Sequence, residues 1–141
     1  MSQRDLFTLL HPLRVRWAEC DAQGIVFNVN YFLYFDVAMT EWLRALGLQG
    51  DKTMDFFTVH SEADYKASAR FDDMLEIGAR CARLGTTSMT IETAIFRDGD
   101  LLTTGRLVYV HADPKTQEKT PLPEDFIARV LAFETTAPER Q

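Results

Sequence analysis

The sequence predicts an α+β domain in which one long buried helix lies against an antiparallel sheet of about five strands. Three observations predict it. Between Asn30 and Leu46 the apolar residues Tyr31, Phe32, Leu33, Tyr34, Phe35, Val37, Ala38, Met39, Trp42, Leu43 and Leu46 cover most of the girth of a helix, which marks a buried helix and not a surface one. After Gly50 the hydrophobic period changes to two, the spacing of half-buried strands. Asp98-Gly99 then supplies a strong hairpin signal between two such runs.

Taken in order, Leu13, Val15 and Trp17 alternate with Arg14 and Arg16 and read as a first strand. A loop from Glu19 to about Asn28, holding Gly24, leads to the helix. Asn28 or Asn30 is placed to cap its start, and Gly47 stands where a C-terminal glycine belongs. Its polar residues Asp36, Thr40 and Arg44 fall at i, i+4 and i+8, a narrow stripe. Phe57, Val59, Ala63, Tyr65, Ala67 and Ala69 are expected on one face of the next strand, with His60, Glu62, Asp64, Lys66 and Arg70 on the other. Leu75, Ile77, Ala79 and Cys81 alternate with Glu76 and Arg80 until Gly85 breaks the run. Met89, Ile91 and Ile95 alternate with Thr90 and Glu92, and Leu101 to Ala112 forms the last long strand before Asp113-Pro114. Pro123 introduces a short helix, with Glu124 and Asp125 in its first turn and Phe126, Ile127, Val130 and Leu131 on its apolar face. A sheet with one helix on one face keeps free edge strands, so a second copy is expected to pair there, giving at least a dimer.

The whole chain, 1–141, reads as one domain without repeats or linkers. Its 46% hydrophobic and 26% charged residues exclude a disordered chain. A net charge of −6 argues against unspecific binding to nucleic acid or an anionic membrane. Cys20 and Cys81 make neither a disulfide framework nor a metal-site spacing. With no signal-peptide pattern at Met1–Leu10 and no membrane-span run, a cytoplasmic location is expected.

The chemistry centres on Glu19-Cys20-Asp21-Ala22-Gln23-Gly24-Ile25-Val26-Phe27-Asn28. A carboxylate in a loop that ends at a helix start lies near unpaired backbone N–H groups carrying partial positive charge. Such amides stabilise an oxyanion, and the carboxylate can attack a carbonyl or activate water. Gly24 lets backbone approach a ligand closely. The bland alternative is a turn or cap aspartate.

The run Arg16-Trp17-Ala18-Glu19-Cys20-Asp21-Ala22-Gln23-Gly24-Ile25-Val26-Phe27-Asn28, with Asn30-Tyr31 and Phe35-Asp36, resembles the signature of the 4-hydroxybenzoyl-CoA thioesterase family, which includes the short acyl-CoA thioesterases of the Tol-Pal envelope system. The similarity continues through Asp72-Asp73-Met74-Leu75-Glu76-Ile77 and Gly85-Thr86-Thr87-Ser88. The resemblance implies the hotdog fold, an antiparallel sheet wrapped around a long helix, and hydrolysis of an aromatic or short-chain acyl-CoA to free acid and CoA. It implies Asp21 as nucleophile or general base, and Asn28 as the position whose backbone N–H polarises the thioester carbonyl. Tyr31 matches a tyrosine of the first helical turn, and Asp36 a residue that meets the acyl phenol in one branch. Asn28 stands where several relatives have His. Gly85, Thr86, Thr87 and Ser88 are implied along the pantetheine arm, while Arg83, Arg97, Arg106, Lys115 and Lys119 are candidates for the CoA phosphates. No cofactor is implied beyond the CoA of the substrate, and no metal.

Other readings are weaker. A Cys20 nucleophile needs a histidine base, and His11, His60 and His111 show no such arrangement. Nor do they show metal-ligand spacing. A hotdog dehydratase needs a catalytic histidine in a different loop pattern. The alternative from another class is a non-catalytic acyl-CoA binding or sensing module, which ordinarily brings a further domain.

Overall fold

The computed structural model describes residues 2–48 and 55–141, so the expected change of period at Gly50 lies outside the described residues. A 3-10 turn at Gln3–Leu6 precedes β1 (Leu9–Arg14), and a second at Trp17–Glu19 opens the loop into α1 (Asn30–Ala45). Then come β2 (Phe56–Tyr65), β3 (Met74–Leu84), β4 (Ser88–Arg97), β5 (Asp100–His111), α2 (Glu124–Phe133) and β6 (Glu139–Arg140). The antiparallel strands follow the order β1-β3-β4-β5-β2, and β6 joins β3 in parallel beside Arg83 and Leu84. With α1 on the inner face, this is the hotdog arrangement.

The alternation in β3 and β4 places Leu75, Ile77, Ala79, Cys81, Ile91 and Ile95 on the inner face, all fully buried. They pack with Tyr31, Tyr34, Phe35, Ala38, Met39 and Trp42 of α1 in one continuous core. Burying a side chain the size of Phe35 contributes roughly 1.5–3 kcal/mol. On the outer face Phe7, Ala94 and Phe96 form a small second cluster with the N-terminal turn.

Several elements differ from expectation. The first strand begins and ends earlier. β1 pairs with β3 from Leu9↔Ala79 to Arg14↔Met74. Val15 then turns its N–H to Asp73 O, and Trp17 enters the 3-10 turn, 61% exposed. Neither asparagine caps α1. Val29 holds the N-cap position, and Asn30 Nδ2 donates to Glu19 O at 2.8 Å. Gly47 takes φ +79° at the other end, as the C-terminal glycine should. The helix is not covered all round, since Leu33 is 47% exposed and Asp36 and Thr40 are exposed with it. Arg44 pairs with Glu41, not with Asp36.

Phe57 and Val59 do not share a face with Ala63 and Tyr65. The register with β5 shifts between Thr58 and His60, and an extra residue reverses the side on which later side chains lie. Phe56 and Ala63 pack on the core, while Phe57 and Val59 remain exposed. The sixth strand is a further correction: two residues show no period.

After α2 the chain is held by Glu134, 8% exposed. Its Oε2 accepts the Trp42 indole N–H at 3.0 Å and the Cys81 backbone N–H at 2.6 Å, beside the register shift in β3.

The approach of α1 to the sheet depends on Gly105. A Cβ there would meet Thr93 Oγ1 and lie 2.5 Å from the Phe35 ring. Gly105→Ala is therefore expected to destabilise the fold by about 1–3 kcal/mol through overpacking. Denaturant unfolding checks this, and an unchanged midpoint would contradict so tight a contact.

Candidate active site

Asp21 stands in a tight hairpin made by the chain's own backbone. Its N–H donates to Ile25 O at 2.9 Å, Gly24 N–H donates to Asp21 O at 3.0 Å, and Phe27 N–H donates to Glu19 O at 3.0 Å. Gly24 closes the turn at φ +78°, a conformation that favours glycine. The Asp21 Oδ1 accepts Gln23 N–H at 2.8 Å, an Asx-type turn. Oδ2 has no hydrogen bond among the described residues. The hairpin is tied to the β2–β3 connection, where Val26 N–H donates to Ala69 O and Phe71 N–H to Gly24 O, both at 2.9 Å.

This geometry opens a cleft of about 300 Å³ lined by Asp21, Ile25, Val26, Phe27, Asn28, Tyr31, Tyr65, Ala67 and Ser68. Asp21, Asn28 and Tyr31 are thus brought together. Among the described residues, the backbone N–H groups of Asn28 and Val29 reach no acceptor, whereas Asn30 N–H donates to Phe27 O and Tyr31 N–H to Asn28 O. Of these unpaired donors, Asn28 belongs to the same wall as Asp21.

Tyr31 is a tether. Its buried hydroxyl accepts Ala69 N–H at 2.9 Å, and its ring meets Tyr34 and Tyr65 edge-on. Burial raises its pKa above the ordinary tyrosine value. Tyr65, assigned only a strand face from the sequence, donates its hydroxyl to Asn28 O at 3.2 Å and walls the cleft.

Glu19 is the other residue that sequence reasoning missed. Its carboxylate is 6% exposed, yet it sits in the loop two residues before Asp21. Burial pushes its pKa up, but hydrogen bonds from the Arg16 side chain and backbone and from Tyr34, with the Arg16 charge, outweigh this and hold it below the usual value. Cys20 goes the other way. Burial first, then the charges of Glu19, Asp21 and Asp73, raise its thiol pKa. A nucleophilic thiol needs the opposite environment.

The remaining candidates lie elsewhere. Asp36 is on the exposed flank of α1, outside the cleft-lining residues. Its nearest legible effect is on Tyr109, whose pKa is raised to about 12 by burial first and by the Asp36 charge second. Gly85, Thr86, Thr87 and Ser88 form the β3–β4 turn, where His111 N–H donates to Thr87 O and Leu122 N–H to Thr86 O. That turn is at the far end of the strands from Tyr65, roughly 30 Å away at about 3.4 Å per residue over a ten-residue strand. Of the candidate phosphate ligands, Arg97 is engaged by Asp73 at 2.6 Å and by Ser68 O, and Arg106 by Glu62. The three histidines are on β1, β2 and β5, away from the cleft lining. No helix among the described residues is long and apolar enough to cross a membrane.

The sequence model of the thioesterase superfamily matches residues 23–104, from the turn of the hairpin into β5. The acyl-CoA thioester hydrolase YbgC of Escherichia coli O6:H1 is 30% identical over 122 residues, covering 83% of this chain and 91% of that one. The crystal structure of the PA5185 protein of Pseudomonas aeruginosa superposes with a TM-score of 0.82 at 29% identity, covering 95% and 96% of the two chains. The gentisyl-coenzyme A thioesterase BH1999 superposes with a TM-score of 0.77 at 28% identity, covering 84% of this chain and 98% of that one.

The turn at Gly24 offers a direct check. No atom lies within 4 Å of a Cβ built there, so Gly24→Ala meets only the left-handed backbone penalty, about 1–2 kcal/mol. Unfolding measurements should show that loss, and a neutral outcome would contradict the turn.

Proposed function

The chain belongs to the thioesterase superfamily and is a thioester hydrolase, and we propose that it cleaves an aromatic or short-chain acyl-CoA at the cleft between Asp21 and the start of α1. The observation that carries this is the shared wall: Asp21, whose carboxylate keeps one unengaged oxygen, lines the same cleft as Asn28, whose backbone amide is unpaired among the described residues.

Attack on the thioester carbonyl comes from Asp21 directly, or from a water that Asp21 deprotonates. The helix-start amide of Asn28 receives the negative charge that develops on the carbonyl oxygen. The carbon–sulfur bond breaks, CoA leaves as thiol, and water supplies the oxygen of the free acid. Tyr31 and Tyr65 shape the walls. A preference for aromatic acyl groups is supported by the likeness to a gentisyl-coenzyme A thioesterase and by the polar Asp36 near Tyr109 on the open flank of α1.

Gly85–Ser88 enters this reading through a second copy. β2 is an edge strand of the sheet, and its residues are largely exposed. Antiparallel pairing of β2 with its twin about a two-fold axis brings the Phe56 end of one chain to the Tyr65 end of the other. The partner's β3–β4 turn then lies roughly 14–19 Å across from the Tyr65 end of β2, three to four strand spacings away in the order of the strands. CoA would thus be held by two chains, as homodimer or homotetramer.

Thiol release should be followed with benzoyl-, 4-hydroxybenzoyl-, phenylacetyl-, short aliphatic and long aliphatic CoA esters. Turnover of an aromatic or short-chain ester is expected, with Asp21→Asn slower by about 10²–10⁴-fold while still folded. Binding without turnover would leave an acyl-CoA binding module in its place. For the shared site, light scattering should give at least a dimer, and the rate per chain should fall on dilution as the dimer dissociates. A monomer with full activity would overturn that part.

A further inference from the structure

Buried carboxylates are uncommon unless paired, and Glu19 is paired on every side. Oε1 accepts both the Arg16 backbone N–H and the Tyr34 hydroxyl, each at 2.9 Å. Oε2 accepts the Arg16 guanidinium, with Nε at 2.8 Å. The Glu19 backbone oxygen accepts Phe27 N–H at 3.0 Å and Asn30 Nδ2 at 2.8 Å.

These bonds run in different directions. The side chain reaches Tyr34, fully buried inside α1. The main chain reaches Phe27 on the returning limb of the hairpin and Asn30 at the first helical position. Asp21 lies two residues after Glu19, and Asn28 lies between Phe27 and Asn30. The separation of the attacking carboxylate from the amide of Asn28 is therefore set by bonds that converge on one residue. Such a separation matters for rate, because a misplacement of about 1 Å costs on the order of 10²-fold.

We propose that Glu19, held by Arg16 and Tyr34, is the positioning residue of this active site, fixing Asp21 against the start of α1 without touching the substrate. The proposal rests on the reading of Asp21 and the helix-start amide of Asn28 as the catalytic pair. Tyr34 carries the link to the helix, and removing only its hydroxyl leaves the ring in the core.

The test is steady-state kinetics on the best ester of the panel, with thermal melts, for wild type, Tyr34→Phe, Glu19→Gln and Asp21→Asn. Tyr34→Phe is expected to lower kcat by about tenfold or more, with KM within about twofold and a melting point above the assay temperature. Glu19→Gln, which keeps an oxygen for Tyr34 but loses the charge facing Arg16, should also lose kcat rather than KM. A Tyr34→Phe protein that melts earlier but keeps full kcat would make Glu19 purely structural and overturn the proposal. So would a rise in KM at constant kcat. Should Tyr34→Phe fail to fold, Arg16→Met at an exposed side chain removes the guanidinium and is read by the same split. Full activity in Asp21→Asn would overturn the catalytic reading itself, an outcome distinct from Asp21→Asn dead and Tyr34→Phe fully active.

Discussion

The contact of Phe35 with Gly105 is the constraint on which the rest depends. A long helix can lie in the hollow of a sheet only if some strand gives up its side chain at the crossing. Gly105 does so on β5, where Phe35 occupies the space a Cβ would need. Its cross-strand neighbour Thr93 on β4 is buried at the same place. That crossing fixes the depth of α1, and the depth decides where its first residues emerge. Asn28, with its unpaired amide, lines a cleft because α1 starts at the sheet's margin, beside the β2–β3 connection that receives the Asp21 hairpin.

The elements legible in the sequence were those whose side chains repeat. Eleven apolar residues in one run specify α1, and strict alternation specifies β3 and β4. What escaped was local and aperiodic. One extra residue near Val59 reverses the face of Phe57 relative to Ala63, and no count of apolar residues reveals a bulge. The start of α1 looked like a side-chain cap because Asn28 and Asn30 flank it. Asn30 instead spends its amide on Glu19 O, a bond defined only once the hairpin has folded back.

The site divides in the same way. Asp21, Asn28 and Tyr31 were legible as a cluster, because one short segment carries all three into one cleft. Tyr65 and Ser68 come from beyond the helix and could be placed only by the sheet's topology. Glu19 gave no sequence signal, since a glutamate in a loop is ordinarily solvated. Its burial follows from Tyr34, fifteen residues on in the chain. Gly85–Ser88 shows the converse: a run readable by resemblance that a single chain holds at the opposite end of its strands.

Two buried glutamates clamp α1, and they do so by different electrostatics. Glu19 takes the Tyr34 hydroxyl near the start of the helix, and Glu134 takes the Trp42 indole near its end. Glu19 has a guanidinium beside it, and its pKa ends below the usual value. Its contribution is therefore present above the unfolded carboxylate pKa and is lost as pH falls through the depressed folded value. For Glu134 burial dominates, the bonds from Cys81 N–H and Trp42 and the more distant Arg80 charge do not offset it, and its pKa is raised. Protonation there relieves a buried charge, so its effect on stability has the opposite sign, growing as pH falls through the raised value. A neutral carboxyl still has an oxygen for Trp42 and Cys81, so the clamp at the end of α1 does not need its charge. The clamp at the start does, because Arg16 is held by the charge of Glu19. The ionised clamp thus stands next to the catalytic loop, where a fixed position matters to rate, and the one that tolerates protonation stands at the far end, where only the fold is at stake.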